Sequence, residues 1–292
     1  MTEKKNIKER IGDTEVTDMY KVGLSGCGFP LTEESFVNLE QSGIDAIEIC
    51  MAPRLYPDIP YRELAALSRR YHVALWSYHL PFWPFSEVEP SSPDPALRKR
   101  TVSYFTDMIE RAADIGISRF VVHPSGEPIA PEEREERLSC AMESLDALAE
   151  IAYRHGAVIA VEDLPRTCLG STVAEMVRLI GANDKLRVCF DTNHLLQDTH
   201  TDFIRALGDR IVTLHVSDYD FVDEKHWMPG EGSISWQSLL AALAEVPYRG
   251  VWMYELSLTA PKTLTRSRDL SFSDFRQNAD ALFAGEVPER IL

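Results

Sequence analysis

Residues 157–191 read AVIAVEDLPRTCLGSTVAEMVRLIGANDKLRVCFD, and the pattern of this stretch decides the fold. Val158 to Glu162 is a short apolar run rich in β-branched residues, and Val188 to Asp191 is another. Between them Ser171 and Glu175 are placed to start a helix and Gly181 is placed to stop it. Strand, amphipathic helix and second strand make one βα unit of a parallel sheet.

The same rhythm extends in both directions. Strand candidates are Val22 to Ser25, Ala46 to Cys50, Val73 to His79, Phe120 to His123, Val158 to Glu162, Val188 to Asp191, Ile211 to Val216 and Val251 to Leu256, eight in all. Helix-like stretches with three and four spacing lie between them, for example Leu138, Met142, Leu145, Leu148 and Ala152. Thr32 with Ser35 opens the first helix and Ser273 the last, while Gly43, Gly116 and Gly156 mark helix ends. With no Gly/Ser-rich linker or break in composition, the chain is expected to form a single (β/α)8 TIM barrel over residues 19–292, its active site at the C-terminal ends of the strands. An open doubly wound sheet is the rival arrangement. The charged leader to about Asp18 is expected to be partly disordered.

Composition fits a globular protein and excludes a disordered chain, collagen or coiled coil: 45% of the 292 residues are hydrophobic and 26% charged. Thirty Lys plus Arg against 46 Asp plus Glu leave a net charge of −16, which repels polyanions, so no nucleic-acid partner is expected. Five cysteines without CxxC spacing and an N-terminus without an apolar export region point to a reducing cytoplasm. No apolar run approaches the roughly 20 residues of a membrane span. Three loops are long, Pro81 to Pro95, Pro124 to Pro131 and Asp218 to Ser235; the first and third carry aromatic residues and read as lids or pocket walls. Glu132 to Arg137 reads as a solvated first helical turn.

In a barrel the chemistry sits where strands end. The third strand ends on His79, the fourth on His123, the fifth on Glu162, the sixth on Asp191 with His194 following, the seventh on His215 and the eighth on Glu255. Charges at the edge of an apolar core cost free energy unless they are paired or bind a cation, and a divalent metal takes Glu, Asp and neutral His together. Glu162, Asp191, His215 and Glu255 suit one six-coordinate hard or borderline ion, with Mn²⁺ foremost and Co²⁺, Mg²⁺ or Zn²⁺ as alternatives. Cys189, inside a β-rich run, reads as a buried small hydrophobe, and Cys27 lies at the mouth. His72, His155 and His200 are assigned no role, being placed away from the carboxyl face.

These motifs resemble the sugar phosphate isomerase/epimerase group of the xylose-isomerase-like barrel superfamily. The likeness is carried by Glu162-Asp163, by Asp191 and His194 in FDTNH, by His215 and Asp218 in LHVSD, by Pro229-Gly-Glu-Gly232 and by Glu255 in MYEL. It implies a metal held by Glu162, Asp191, His215 and Glu255, and an isomerase or epimerase acting on a ketose or related polyol, phosphorylated or not. The reaction is proton abstraction beside a carbonyl through a metal-stabilised enediolate, with Glu162 and Glu255 removing and returning the proton. The same chemistry with a leaving hydroxyl gives a dehydratase of a keto-polyol such as an inosose. His79, His123 and His226 match zinc positions of the related endonuclease IV group, a metal-dependent phosphodiesterase, although the acid before His226 is Glu224 rather than Asp; in sugar enzymes such positions bind substrate. His194 is expected beside a substrate oxygen. Arg166 and Lys225 are the cations available for a phosphate or carboxylate. Trp83, with Phe82, Phe85, Trp227 and Trp236, would offer a sugar apolar faces, Trp236 having the alternative of packing under its loop. The exposed aromatic loops make a homodimer an expectation as well.

Overall fold

The computed structural model describes residues 20–291, so the expectation for the leader falls outside the described residues. Eight strands run β1 (Lys21–Ser25), β2 (Ala46–Ile49), β3 (Ala74–His79), β4 (Arg119–Val122), β5 (Val158–Glu162), β6 (Arg187–Asp191), β7 (Ile211–His215) and β8 (Val251–Tyr254). Between and after them lie α1 (Glu33–Gln41), α2 (Tyr61–Tyr71), α3 (Pro95–Ala113), α4 (Arg134–Arg154), α5 (Val173–Ile180), α6 (His200–Leu207), α7 (Trp236–Ala244) and α8 (Phe272–Phe283). Each expected strand is present, with its ends within about two residues.

Every ladder is parallel, in the order β7-β6-β5-β4-β3-β2-β1-β8. The ring is closed between β7 and β8 by a bridge from Val216, just beyond β7, to Tyr254, the last residue of β8: Val216 N–H donates to Met253 O at 2.8 Å and Glu255 N–H to Val216 O at 3.1 Å. The barrel therefore joins at its carboxyl end, where His215 and Glu255 stand.

Apolar residues on the outer faces of the strands pack against the helices in one large core, with Phe36, Phe105, Phe120, Phe190, Phe203, Trp252 and Phe275 fully buried. Each such side chain contributes on the order of 1.5–3 kcal/mol by leaving water. Inside the barrel two small clusters fill the lumen: Ala46, Val251 and Met253 with Trp76, and Val121, Ala160 and Cys189 with Val212. They form an apolar floor beneath the polar mouth.

Two irregularities decide which side chains face that mouth. Opposite β2 the pairing of β3 runs Ile47↔Leu75 and then Glu48↔Ser77, so Trp76 is an extra residue. Opposite β6 the pairing of β7 runs Val188↔Ile211 and then Cys189↔Thr213, so Val212 is extra. Trp76 and Val212 both point inward, into the lumen clusters. Strict alternation from them would turn His79 and His215 outward; the added residue reverses the phase and turns both inward.

The first helix starts as expected, Thr32 accepting from Ser35 N–H at 3.3 Å. Elsewhere the caps shift by one or two residues. Thr172, not Ser171, caps α5 by accepting from Glu175 N–H. Ser271, not Ser273, caps α8 through a capping box with Asp274. The stretch Glu132 to Arg137 is not simply solvated. Arg134 donates to both carboxylate oxygens of Glu175, at 2.5 and 2.7 Å, and to the carbonyls of Thr167 and Cys168, so it pins α4 to the loop after β5.

Candidate metal centre

Four strand ends deliver one cluster. Oxygen or nitrogen atoms of Glu162, Asp191, His215 and Glu255 all lie within 4.8 Å of one another, and all four residues are buried. His215 stands at the centre: its Nδ1 is 3.0 Å from Glu162 Oε1, 3.4 Å from Glu255 Oε2 and 3.9 Å from Asp191 Oδ2. The register aligns them, since Asp191 pairs with His215 across β6 and β7. Around this core, His79 Nε2 and His123 Nε2 each approach Glu162 Oε2 at 3.2 Å, and His194 Nδ1 lies 3.6 Å from Asp191 Oδ2.

The donor set fits a divalent cation. Asp191 Oδ2 is buried and has no hydrogen-bond partner among the described residues, while its Oδ1 accepts from Asn193 N–H at 2.6 Å. A buried carboxylate oxygen without a partner costs free energy unless something positive occupies its open side. His79 repeats the pattern: its Nδ1 donates to Leu80 O at 2.8 Å, which leaves Nε2 facing the Glu162 carboxylate, a contact that requires a proton or a cation between them.

Electrostatics separates the two glutamates. Burial opposes ionisation of Glu162, but His215 and His123 beside it outweigh burial and hold it well below the usual carboxylate range. Glu255 is pushed the other way, up to about 7, by burial together with the Glu162 and Asp191 charges and against the pull of His215. Cys189 Sγ also approaches Glu162 and His215, yet burial raises its thiol well above the ordinary value, so it remains a neutral small side chain.

Two further groups of donors adjoin the first. His79, His123 and Glu162 form one, and His194, Glu224 and His226 form the other. His194 Nδ1 donates to Asp163 O at 2.8 Å and its Nε2 lies 3.5 Å from Glu224 Oε2. His226, in left-handed backbone (φ 50°), donates from Nδ1 to Glu255 O at 3.0 Å. Asn193 Oδ1 fastens the segment carrying His226, accepting from Lys225 N–H at 2.9 Å.

Other expected residues take different places. Arg166 is spoken for: Glu127 accepts from its Nε and Nη2, Asp223 from Nη1 at 2.7 Å and Glu224 from Nη2 at 3.2 Å. It ties the loops after β4, β5 and β7 together, and the expectation of a free anion-binding cation is corrected, because its planar donors are matched by carboxylates. Lys225 Nζ faces Asp220 at 3.8 Å. Trp83 is 56% exposed on the long loop after β3, whereas its neighbour Phe82 stacks on His123 with centroids 4.3 Å apart. Trp236 packs under its loop, donating to Asp218 Oδ2 at 3.0 Å. Asp218 also accepts from Gly230 and Ile234 N–H, which folds the Pro229–Gly232 turn around a buried carboxylate. His200 is corrected too. It opens α6 on the carboxyl side, is buried, and shares a 2.7 Å hydrogen bond with Thr192 O.

Sequence reasoning missed Glu48. It is wholly buried on β2, accepts from Ser25 Oγ at 3.0 Å and Ser77 Oγ at 2.8 Å, and meets His215 Nε2 with both oxygens at 3.1 Å. The available signal was a charge inside the apolar run Ala46-Ile-Glu-Ile49, one position before the strand's end.

Fold and site together define a parallel barrel whose mouth carries acids and histidines that could hold a metal ion, and comparison with known proteins gives its family. Residues 36–270 match the model of the xylose isomerase-like TIM barrel family, and the chain belongs to it. D-psicose 3-epimerase of Ruminiclostridium cellulolyticum is 28% identical over 71% of this chain and 72% of its own length. A probable endonuclease 4 of Thermoplasma acidophilum is 28% identical over 61% of this chain and 66% of its own. Among solved structures, a D-tagatose 3-epimerase-like protein superposes with a TM-score of 0.69 at 28% identity, covering 81% of this chain and 90% of that one. Relatives of this chain thus include sugar epimerases and endonuclease 4-like proteins. No helix among the described residues is long and apolar enough to cross a membrane.

Proposed function

We propose that this chain is a divalent-metal-dependent epimerase or isomerase of a ketose or related polyol. The observation that carries the reading is the convergence of Glu162, Asp191, His215 and Glu255 around an oxygen of Asp191 that no described residue satisfies. The relatives named as psicose and tagatose 3-epimerases support the substrate class.

Those four side chains would hold the ion, and when bound it supplies a Lewis acid for a carbonyl oxygen and the oxygen beside it. The rest falls to the chain itself. Glu162 and Glu255 come from β5 and from the end of β8, non-neighbouring strands whose carboxylates both reach His215. They can therefore address one carbon from two sides, one taking the proton and the other returning it, with inversion if it returns to the same carbon. In this reading His194 and His226, whose rings meet edge to face, would hydrogen-bond substrate oxygens on one side, and His123, backed by the ring of Phe82, on another. The apolar floor of Val121, Ala160 and Cys189, wholly buried, would close the site from beneath. Mn²⁺ is proposed first for a site with three carboxylates and one imidazole.

The test is solvent deuterium incorporation by NMR into a panel of ketoses and keto-polyols, with metal-stripped protein and with Mn²⁺ restored. Metal-dependent exchange at the carbon beside the carbonyl is expected, lowered about 10²–10⁴-fold in Glu162→Gln and in Glu255→Gln. The product then distinguishes epimerase, isomerase and dehydratase.

A second reading has its own observation. The groups His79–His123–Glu162 and His194–Glu224–His226 flank the first and would suit a multinuclear phosphodiesterase, in line with the endonuclease 4 relative. The net charge of −16 and the occupation of Arg166 by carboxylates weigh against a nucleic-acid substrate. Absence of exchange across the panel, with about three metal ions per chain by elemental analysis, would favour this second reading.

A further inference from the structure

From the geometry we infer that Glu48 is the positioning residue of the metal centre: it holds His215 as the Nε2–H tautomer and so presents the Nδ1 lone pair to the ion. The inference rests on the metal-binding part of the proposed function and on no particular substrate.

His215 is wholly buried and has a carboxylate at each end of its ring, Glu162 at Nδ1 and Glu48 at Nε2. The two ends are not equivalent. On the Nδ1 side Glu162, Asp191 and Glu255 crowd together, and Asp191 Oδ2 is unsatisfied. On the Nε2 side the bonding of Glu48 is closed: Ser25 donates to Oε1, Ser77 donates to Oε2, and both oxygens lie 3.1 Å from the ring nitrogen. Glu48 is wholly buried between Ser25 and Ser77 of the two adjacent strands, in register Ser25↔Glu48 and Glu48↔Ser77, and His215 reaches it from β7 across the barrel. A carboxylate that accepts from three directions fixes the proton on Nε2, and the opposite nitrogen must then be the ligand. A further consequence is that the ring cannot flip, because rotation would break the contact on both sides of a fully packed imidazole.

The structure also distinguishes this role from plain packing. An amide of the same shape can still accept the Nε2–H, with the serine hydroxyls turning to suit, so the isosteric variant keeps the ring in place and loses only charge. Truncation removes both.

The experiment is Co²⁺ binding to metal-stripped protein by competition with a chromophoric chelator, for the parent chain, Glu48→Gln and Glu48→Ala. It is paired with ¹⁵N–¹H correlation of histidine rings in the Zn²⁺-loaded protein. Expected are a loss of affinity of about 10–100-fold in Glu48→Ala and a smaller loss in Glu48→Gln. The His215 ring should show a protonated Nε2 and a metal-bound Nδ1 in the parent and in Glu48→Gln. If Glu48→Ala does not fold, Glu48→Gln combined with Ser77→Ala replaces it, with a loss larger than that of Glu48→Gln alone. Affinities within about twofold of the parent in these variants, or coordination through Nε2, would overturn the role of Glu48 while leaving the metal centre standing. A parent chain that binds neither Co²⁺ nor Zn²⁺ would overturn both.

Discussion

His215 and Glu162 show how much of the site is decided one side chain at a time. Glu162 offers one oxygen to His215 and the other to His79 and His123, so a single buried carboxylate serves two donor groups. Its ionisation is secured by those imidazoles, whereas Glu255, with fewer cationic neighbours, sits near neutrality. Two identical side chains a few ångströms apart are thereby separated by environment alone, which suits the proton transfer proposed for them. Arg166 illustrates the opposite case, a residue whose chemistry is consumed by its surroundings. Its guanidinium is held above its ordinary value first by the Glu127 hydrogen bonds and then by Asp223 and Glu224, against the effect of burial. Arg166→Ala is therefore expected to leave the ratio of kcat/KM for a phosphorylated and an unphosphorylated ketose within about twofold of the parent, and to lower stability by about 1 kcal/mol or less, as partly exposed ion pairs do. Steady-state kinetics on both sugars checks this; a selective collapse with the phosphorylated one would restore Arg166 as an anion ligand.

At the scale of elements, the loops and caps show which local patterns carry through. The long connections after β3, β4 and β7 do form the rim of the mouth, and the last is organised by Asp218, which reaches the backbone of Gly230 and Ile234 and the ring of Trp236. The capping box of α8 can be tested separately from the chemistry. Asp274 accepts from Ser271 N–H at 2.6 Å and from Arg268, and the Arg268 hydrogen bond is the first cause that lowers its carboxyl to about 2. A carboxyl depressed on folding adds stability above its unfolded value of 3.8, and that stability is lost as pH falls through about 2. Asp274→Ala should thus cost about 1 kcal/mol at pH 7. In urea melts the difference should shrink as pH drops below 4 and nearly vanish by pH 2; a constant difference would mean that the charge of Asp274 contributes nothing.

Over the whole molecule, the apolar core and the polar mouth are separate structures. The core between sheet and helices and the two lumen clusters contain none of the four proposed ligands. Removing the metal should therefore leave the barrel folded but less stable, the more so because the ring of strands joins at the Val216 bridge between His215 and Glu255. An ion at 100 times its dissociation constant adds about 2.7 kcal/mol, roughly 5–10 °C in a domain of this size. Thermal melts with EDTA and with increasing Mn²⁺ or Co²⁺ check this, and a midpoint indifferent to every divalent ion would contradict a metal held by these four groups.

The eight strands, the parallel barrel and the strand-end acids and histidines were legible in the sequence because each rests on a local property. A strand is a short β-rich run and a helix a three-and-four rhythm, and in a barrel the end of a strand is the mouth whatever its neighbours are. Even Glu162, Asp191, His215 and Glu255 follow from position along the chain. What only the tertiary structure decided depends on register between strands far apart in sequence. The extra residues Trp76 and Val212 reverse the phase of β3 and β7 and turn His79 and His215 inward, and nothing within either strand announces them. Glu48 reads as an anomaly in Ala46-Ile-Glu-Ile49 until Ser25, Ser77 and His215 arrive from three other strands to complete its hydrogen bonds. Arg166 likewise reads as a free cation until the folded loops bring three acids to it. A sequence records which groups a chain carries, and local periodicity places them along the elements; which groups satisfy one another is set by contacts between distant segments, and those exist only once the barrel has closed.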